Sequence, residues 1–170
     1  KNIDLVIVNF YPFEKTLKNT SNHKKIITDK MPQNFHYIGL IVAAFPEAKI
    51  IHVKRNSAAV CWANYKNYFA SKKIDYCYEI GDIIKYYNLY QNLMNFWTNQ
   101  LPKSIYDIDY ELLTVNQEDE TRKLINYIGL DWEIECLYPQ YNKRSVATAS
   151  NTQVRKKIYQ GSSKKWKKYK

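Results

Sequence analysis

The stretch Lys49-Ile50-Ile51-His52-Val53-Lys54, which runs without a break into Arg55-Asn56-Ser57 and a helical segment, constrains this chain more than any other. A short β-branched run bounded by polar residues is the signature of a buried strand. A strand that ends in an arginine where a helix begins puts a cation at the carboxyl edge of a sheet. Open α/β sheets bind their ligands at that edge. A guanidinium fork beside a helix N-terminus suits a phosphate. An ion pair with a nearby acid would satisfy the same arginine, and these residues alone leave both readings open.

The rest of the chain fits a parallel α/β sheet. Residues 3–10 are a β-branched run, predicting a buried strand, and residues 14–27 predict a loop or a weak helix. A turn is expected at Asp29–Pro32. The spacing of Tyr37, Leu40, Ile41, Ala44 and Phe45 then predicts a helix over 34–45, stopped by Pro46. A helix follows the Arg55 strand over about 57–69, with a polar aromatic loop at 71–80. Ile83, Tyr87, Tyr90, Met94, Trp97 and Leu101 form one apolar stripe, predicting a helix over 82–101. A third strand is expected at 104–108 and a helix at 117–128, ended by Gly129. A short helix is expected at 131–137, and a loop-like basic region from 139 onward.

Composition narrows the classes of function. The net charge is +10, and part of it sits in Lys164, Lys165, Lys167, Lys168 and Lys170. Such a surface attracts nucleic acid, acidic lipid or a phosphorylated cofactor without choosing among them. Cys61, Cys77 and Cys136 are far apart and form no CxxC pair, so neither a zinc site nor a disulfide framework is expected; a reducing cytoplasm is. No apolar run has the length of a membrane span, so no membrane partner is expected. The chain begins with Lys1, as an excerpt of a longer protein would.

Two further segments carry chemistry. Lys30, in Asp29-Lys30-Met31-Pro32, stands just before a helix and is either solvated or the partner of an anion. The tail, from Arg144 through Ser150 to Arg155-Lys156-Lys157-Ile158-Tyr159-Gln160-Gly161-Ser162-Ser163 and Trp166, mixes cations, hydroxyls and a glycine with apolar residues. A lid over a phosphate needs those types. A basic disordered tail is the alternative, and the interspersed Val154, Ile158, Tyr159 and Trp166 argue against it.

The segment ITDKMPQNFHYIGLIVAAFPEAKIIHVKRNSAAVCWANYKNYF resembles the middle of bacterial sulfotransferases that use 3′-phosphoadenosine 5′-phosphosulfate. These are often attached to tetratricopeptide repeats and are related to tyrosylprotein sulfotransferases. IYDIDYELLTVNQEDETRKLINYIGLDWEIECL and RSVATASNTQVRKKIYQGSSKKWKKY continue the same likeness in order, over about residues 27–170. The resemblance implies an incomplete three-layer sulfotransferase fold, P-loop nucleotide-hydrolase-like, with a central parallel sheet. It implies that Arg55 binds the 3′-phosphate and that Lys30 assists the leaving group. Ser150 would help position the phosphosulfate. Arg155, Lys156, Tyr159, Gly161, Ser162 and Ser163 would close over the nucleotide, with Trp166 packing that loop. No metal is implied.

Four departures from the family pattern stand out. Ser57 replaces a proline, and Ala63 replaces a serine whose hydroxyl would reach the 3′-phosphate. No Pro-Arg-Ser-Gly-Thr-like loop is present to cradle the 5′-phosphosulfate. No catalytic base is identifiable, because His23 and His36 are poorly placed and His52, inside a strand, reads as structural. Residues 1–27 instead resemble a strand and loop of the bifunctional purine-biosynthesis enzyme AICAR transformylase/IMP cyclohydrolase. The expected organisation is therefore a foreign N-terminal strand and loop at 1–27 joined to the C-terminal part of a sulfotransferase domain at 28–170. The N-terminal strand is expected to enter the sheet in place of a missing one.

The resulting expectation is sulfuryl transfer to a hydroxyl acceptor, a peptide tyrosine or a sugar, with weak nucleotide binding and little turnover. Two alternatives remain. One is a non-enzymatic basic module binding nucleic acid or acidic partners through 143–170. The other is a piece of a purine-biosynthesis enzyme.

Overall fold

The computed structural model describes residues 4–9, 26–69, 72–143 and 155–169. Strands β1 (Asp4–Asn9), β2 (Ile27–Lys30), β3 (Lys49–Lys54) and β4 (Ile105–Asp109) form one sheet in the order β2-β1-β3-β4. β3 and β4 are parallel, from Ile50 beside Ile105 to Lys54 beside Asp109. The α/β class expected from the sequence is the one observed.

β1 lies in the sheet beside β3, but it runs antiparallel to both its neighbours. Antiparallel neighbours need no helical crossover, and residues 10–26 have no apolar period from which to build one. The consequence is that β2, β3 and β4 all point the same way. Their carboxyl ends, at Lys30, Lys54 and Asp109, share one edge of the sheet.

The turn expected at 29–32 is partly a strand, because Ile27 to Lys30 pair along β1. Met31 is extended (φ −129°, ψ 123°), as the residue before a proline must be. Pro32 opens a 3₁₀ turn (Pro32–Tyr37) that leads into α1 (Ile38–Ala44), so the helix expected over 34–45 is split in two. α2 (Ser57–Tyr65) is shorter than expected, and α3 (Ile80–Gln100) matches its stripe. A 3₁₀ segment, Lys72–Tyr78, precedes α3 where a loop was expected. α4 (Tyr110–Val115) follows β4 directly and was not foreseen. α5 (Gln117–Ile128) ends at Gly129, whose φ of 76° is left-handed, a conformation that favours glycine at a helix C-terminus. The predicted helix at 131–137 is a 3₁₀ turn, Ile134–Leu137, followed by another at Pro139–Tyr141. The basic end is also ordered into 3₁₀ turns, Ser162–Tyr169, rather than a loop.

Side chains alternate across β3 with period two. Ile50 packs with Phe35, Ile38, Tyr90, Met94 and Ile105 on the α1 and α3 face. Ile51 packs with Ile108 and Ile128 on the α5 face. Helices thus cover both faces, giving three layers. Truncating Ile38 or Ile50, both fully buried, should cost about 2–5 kcal/mol. Among the described residues no helix is long and apolar enough to cross a membrane.

Candidate nucleotide-binding site

The carboxyl end of β3 carries Arg55, and α2 starts immediately after it. Asn56 caps α2 by accepting a hydrogen bond from the Ala59 amide at 3.0 Å, the usual role of an asparagine at this position. The cap fixes the sharp turn from strand to helix and so the direction in which Arg55 leaves the sheet.

Arg55 points to the C-terminal segment. Its Nε donates to Ser163 Oγ at 3.0 Å and its Nη2 to Ser162 Oγ at 3.3 Å. The guanidinium also lies 4.9 Å from the centre of the Tyr110 ring, close enough for a cation–π contact. The Tyr110 hydroxyl shares a 2.8 Å hydrogen bond with Ser162 Oγ. Gly161, at φ 83°, makes the bend that brings Ser162 and Ser163 down onto Arg55. A Cβ there would meet no atom within 4 Å, so the backbone angle, rather than space, calls for glycine.

Arg55 opens into a cavity of about 490 Å³. Lys66, Lys156 and Lys165 share its lining with Arg55, and no carboxylate lines it among the described residues. Tyr110 and Ser162 add hydroxyls, and Trp62, Tyr159 and Trp166 add aromatic surface. Lys165 Nζ sits 5.2 Å from the centre of the Tyr159 ring. Trp62 packs on Tyr169 with ring centres 4.6 Å apart and so pins the segment to α2. The cavity has the size of a small-ligand site. Its cations and hydroxyls fit a phosphate, and its aromatic rings fit a planar base.

The expected residues are therefore only partly brought together. Arg55, Lys156, Tyr159 and Ser162 line one cavity; Ser163 is outside the lining but accepts from Arg55, and Gly161 only precedes the two serines. Arg155 is exposed and is not part of the lining. Ala63 lies in the lining without a hydroxyl to offer. Lys30, exposed at the end of β2, is elsewhere. In register it is level with Val6, and Val6 is level with Ile51. It stands two strands across from β3 and four residues short of Arg55, roughly 13 Å along the strand direction. Ser150 lies outside the described residues.

Neither Tyr110 nor Trp62 was expected at this site. Both had a signal. Tyr110 directly follows β4, so it emerges at the same sheet edge as Arg55. Ala59, Trp62 and Lys66 follow Arg55 at near-helical spacing and fall on one face of α2.

Arg55 also borders a neighbouring cavity of about 440 Å³, lined among others by His52, Lys54, Tyr90 and Asp107. His52, 2% exposed, bonds through Nδ1 to Asp107 Oδ1 at 2.7 Å and through Nε2 to the Tyr90 hydroxyl. Lys54 Nζ meets Asp107 Oδ2 at 2.5 Å. Burial alone would raise the Asp107 carboxyl, but the hydrogen bonds and charges of His52 and Lys54 outweigh it and hold it below its ordinary value. An ionised carboxylate only accepts, so His52 Nδ1 must donate. A neutral ring accepts the Tyr90 hydroxyl at Nε2, and a protonated ring donates to it there. His52 is buried within β3, with both ring nitrogens in hydrogen bonds.

A family model described as "Sulfotransferase family" matches residues 8–134. An uncharacterized protein of Aquifex aeolicus (strain VF5) is 39% identical over 161 residues, which is 94% of this chain but 21% of that protein. The chain thus spans about a fifth of the length of this relative. With three quarters of its residues inside the family match, and Arg55 at the carboxyl end of a strand within it, the chain belongs to the sulfotransferase family.

Proposed function

We propose that this chain holds the 3′-phosphoadenosine end of 3′-phosphoadenosine 5′-phosphosulfate within a protein that transfers a sulfuryl group to a hydroxyl acceptor. The observation that carries this is the Arg55 cavity, which gathers four cationic side chains and no carboxylate among the described residues. Arg55 spends its hydrogen bonds on the neutral hydroxyls of Ser162 and Ser163, so its charge remains available to an anion.

Arg55, Lys156 and Ser162 would hold the 3′-phosphate, and Trp62 and Tyr159 would flank the base. When bound, the co-substrate supplies the sulfuryl group that passes from its phosphate to the acceptor oxygen. Tyr110 orients Arg55 by lying against the guanidinium and fixes Ser162 by a hydrogen bond. The cations of the cavity exclude a competing positive group and offset phosphate charge that water would otherwise screen. Lys30 would act at the other end of the nucleotide, where a fixed ammonium stabilises charge as it develops on the leaving phosphate. The separation of Lys30 from Arg55 agrees with two different anionic groups rather than one. The acceptor, a tyrosine or a sugar hydroxyl, would come from outside this cavity.

The test is calorimetry with 3′-phosphoadenosine 5′-phosphate and with adenosine 5′-phosphate. The first should bind and the second should bind at least several-fold more weakly, a difference that Arg55→Ala removes. Equal affinity for the two nucleotides, or an unchanged result in Arg55→Ala, would overturn the proposal. Binding of DNA or RNA with a steep salt dependence and no preference for a 3′-phosphate would favour a basic module instead.

A further inference from the structure

Between α2, α3 and the Lys72–Tyr78 segment lies a second cavity, of about 130 Å³. Its walls include Phe35, Cys61, Tyr76, Tyr86 and Tyr87. None of its lining residues lines the Arg55 cavity.

Asn64 faces this space from α2. It is 6% exposed, and its Oδ1 has no hydrogen-bond partner. Buried amide oxygens are nearly always paired, because leaving one unpaired forfeits its bonds to water. Asn64 stands one helical turn after the buried Val60, where an aliphatic side chain would pack without that loss. The neighbouring rings do not supply the missing donor. Tyr76 stacks on Tyr86 with ring centres 3.8 Å apart and an 11° tilt. The Tyr86 hydroxyl is shared with His36 Nε2 at 3.1 Å. Phe35 meets the Tyr86 ring edge-on, at 80°. The walls are thus held by their own contacts.

The character of the lining selects the ligand. No Lys, Arg, His, Asp or Glu lines the cavity among the described residues, so a charged ligand would lose its hydration without compensation. An apolar cavity of about 150 Å³ takes up a single benzene ring, and this one is close to that size. Aromatic walls favour an aromatic guest through stacked and edge-on contacts. The unpaired oxygen asks for one donor on that ring.

We propose that this cavity binds one neutral aromatic ring carrying an O–H or N–H donor, and that Asn64 Oδ1 accepts the hydrogen bond. This goes beyond the sulfotransferase reading and does not rest on it. Phenol and benzene, titrated separately into the whole chain and followed by amide NMR, provide the test. Phenol should give saturable shifts at residues around Cys61, Asn64 and Tyr86, with about tenfold tighter binding than benzene, the worth of one buried hydrogen bond. In Asn64→Leu the preference for phenol should vanish while benzene still binds. The unmodified chain alone decides the matter if that variant fails to fold. Phenol bound no more tightly than benzene, or no shift from phenol at millimolar concentration, overturns the proposal. A parallel titration with 3′-phosphoadenosine 5′-phosphate reports on the Arg55 cavity separately, so the failure of one reading is visible apart from the other.

Discussion

Lys54 and Arg55 are consecutive, yet they serve two different regions of the molecule. Lys54 turns to the α3 face and gives its charge to Asp107, which His52 also grips. Arg55 reaches Ser162 and Ser163 and lies against the Tyr110 ring, and it also borders the cavity that His52, Lys54 and Asp107 line. The difference teaches that a cation closed by a carboxylate is spent on structure. A cation held in place by neutral groups is positioned and keeps its charge for a ligand. The Asp107 cluster ties β3 to β4 and α3, and the Arg55 cluster ties the end of β3 to α4 and the C-terminal segment.

Arg55→Ala should have the largest effect. Affinity for 3′-phosphoadenosine 5′-phosphate should fall roughly 10- to 100-fold, since hydrogen bonds to a charged group are worth about 1.5–3 kcal/mol. Calorimetry measures this, and thermal unfolding should change little. Lys54→Ala should leave nucleotide affinity nearly intact. If the two substitutions weaken binding equally, the distinction between the two cations is lost.

Asp107→Asn should do the reverse, costing about 1–2 kcal/mol in denaturant unfolding while preserving selectivity for the 3′-phosphate. Loss of selectivity together with stability would mean that the Asp107 and Arg55 clusters are coupled. The same residue predicts a pH effect. Its carboxyl is held below its ordinary value in the folded chain. The stability it contributes is therefore complete above the ordinary carboxylate range and is lost as pH falls through the lowered folded value. Unfolding measured across that acid range should be less steep in pH for Asp107→Asn than for the parent chain.

Ala63→Ser should have the smallest effect and the opposite sign. It adds a hydroxyl to the Arg55 cavity at a position already in the lining. Nucleotide affinity should rise roughly twofold to tenfold, the range of one added hydrogen bond. No change would indicate that the phosphate sits out of reach of α2.

Much of the framework was legible from residue spacing. The strand at 49–54, the apolar stripe of α3, and α5 with its closing Gly129 rest on local periodicity and backbone preference. The position of Arg55 at the sheet edge was legible for the same reason, since a strand end followed by a capped helix is local information. The hydroxyls and glycine of the tail were visible as a set of types suited to closing over an anion. The 3₁₀ turns, α4 and the pairing of β2 were not visible, because short elements carry little periodic signal and depend on what they pack against.

The sequence by itself settled that an α/β sheet would present an arginine at its carboxyl edge, because hydrophobic period and helix capping act over a few residues. Tertiary structure decided which cation would be neutralised, which way β1 would run, and what would close over Arg55. Ser162 is 107 residues from Arg55, and Asp107 is 55 from His52. Contacts across such separations are set by how the layers pack, and no local preference along the chain encodes them.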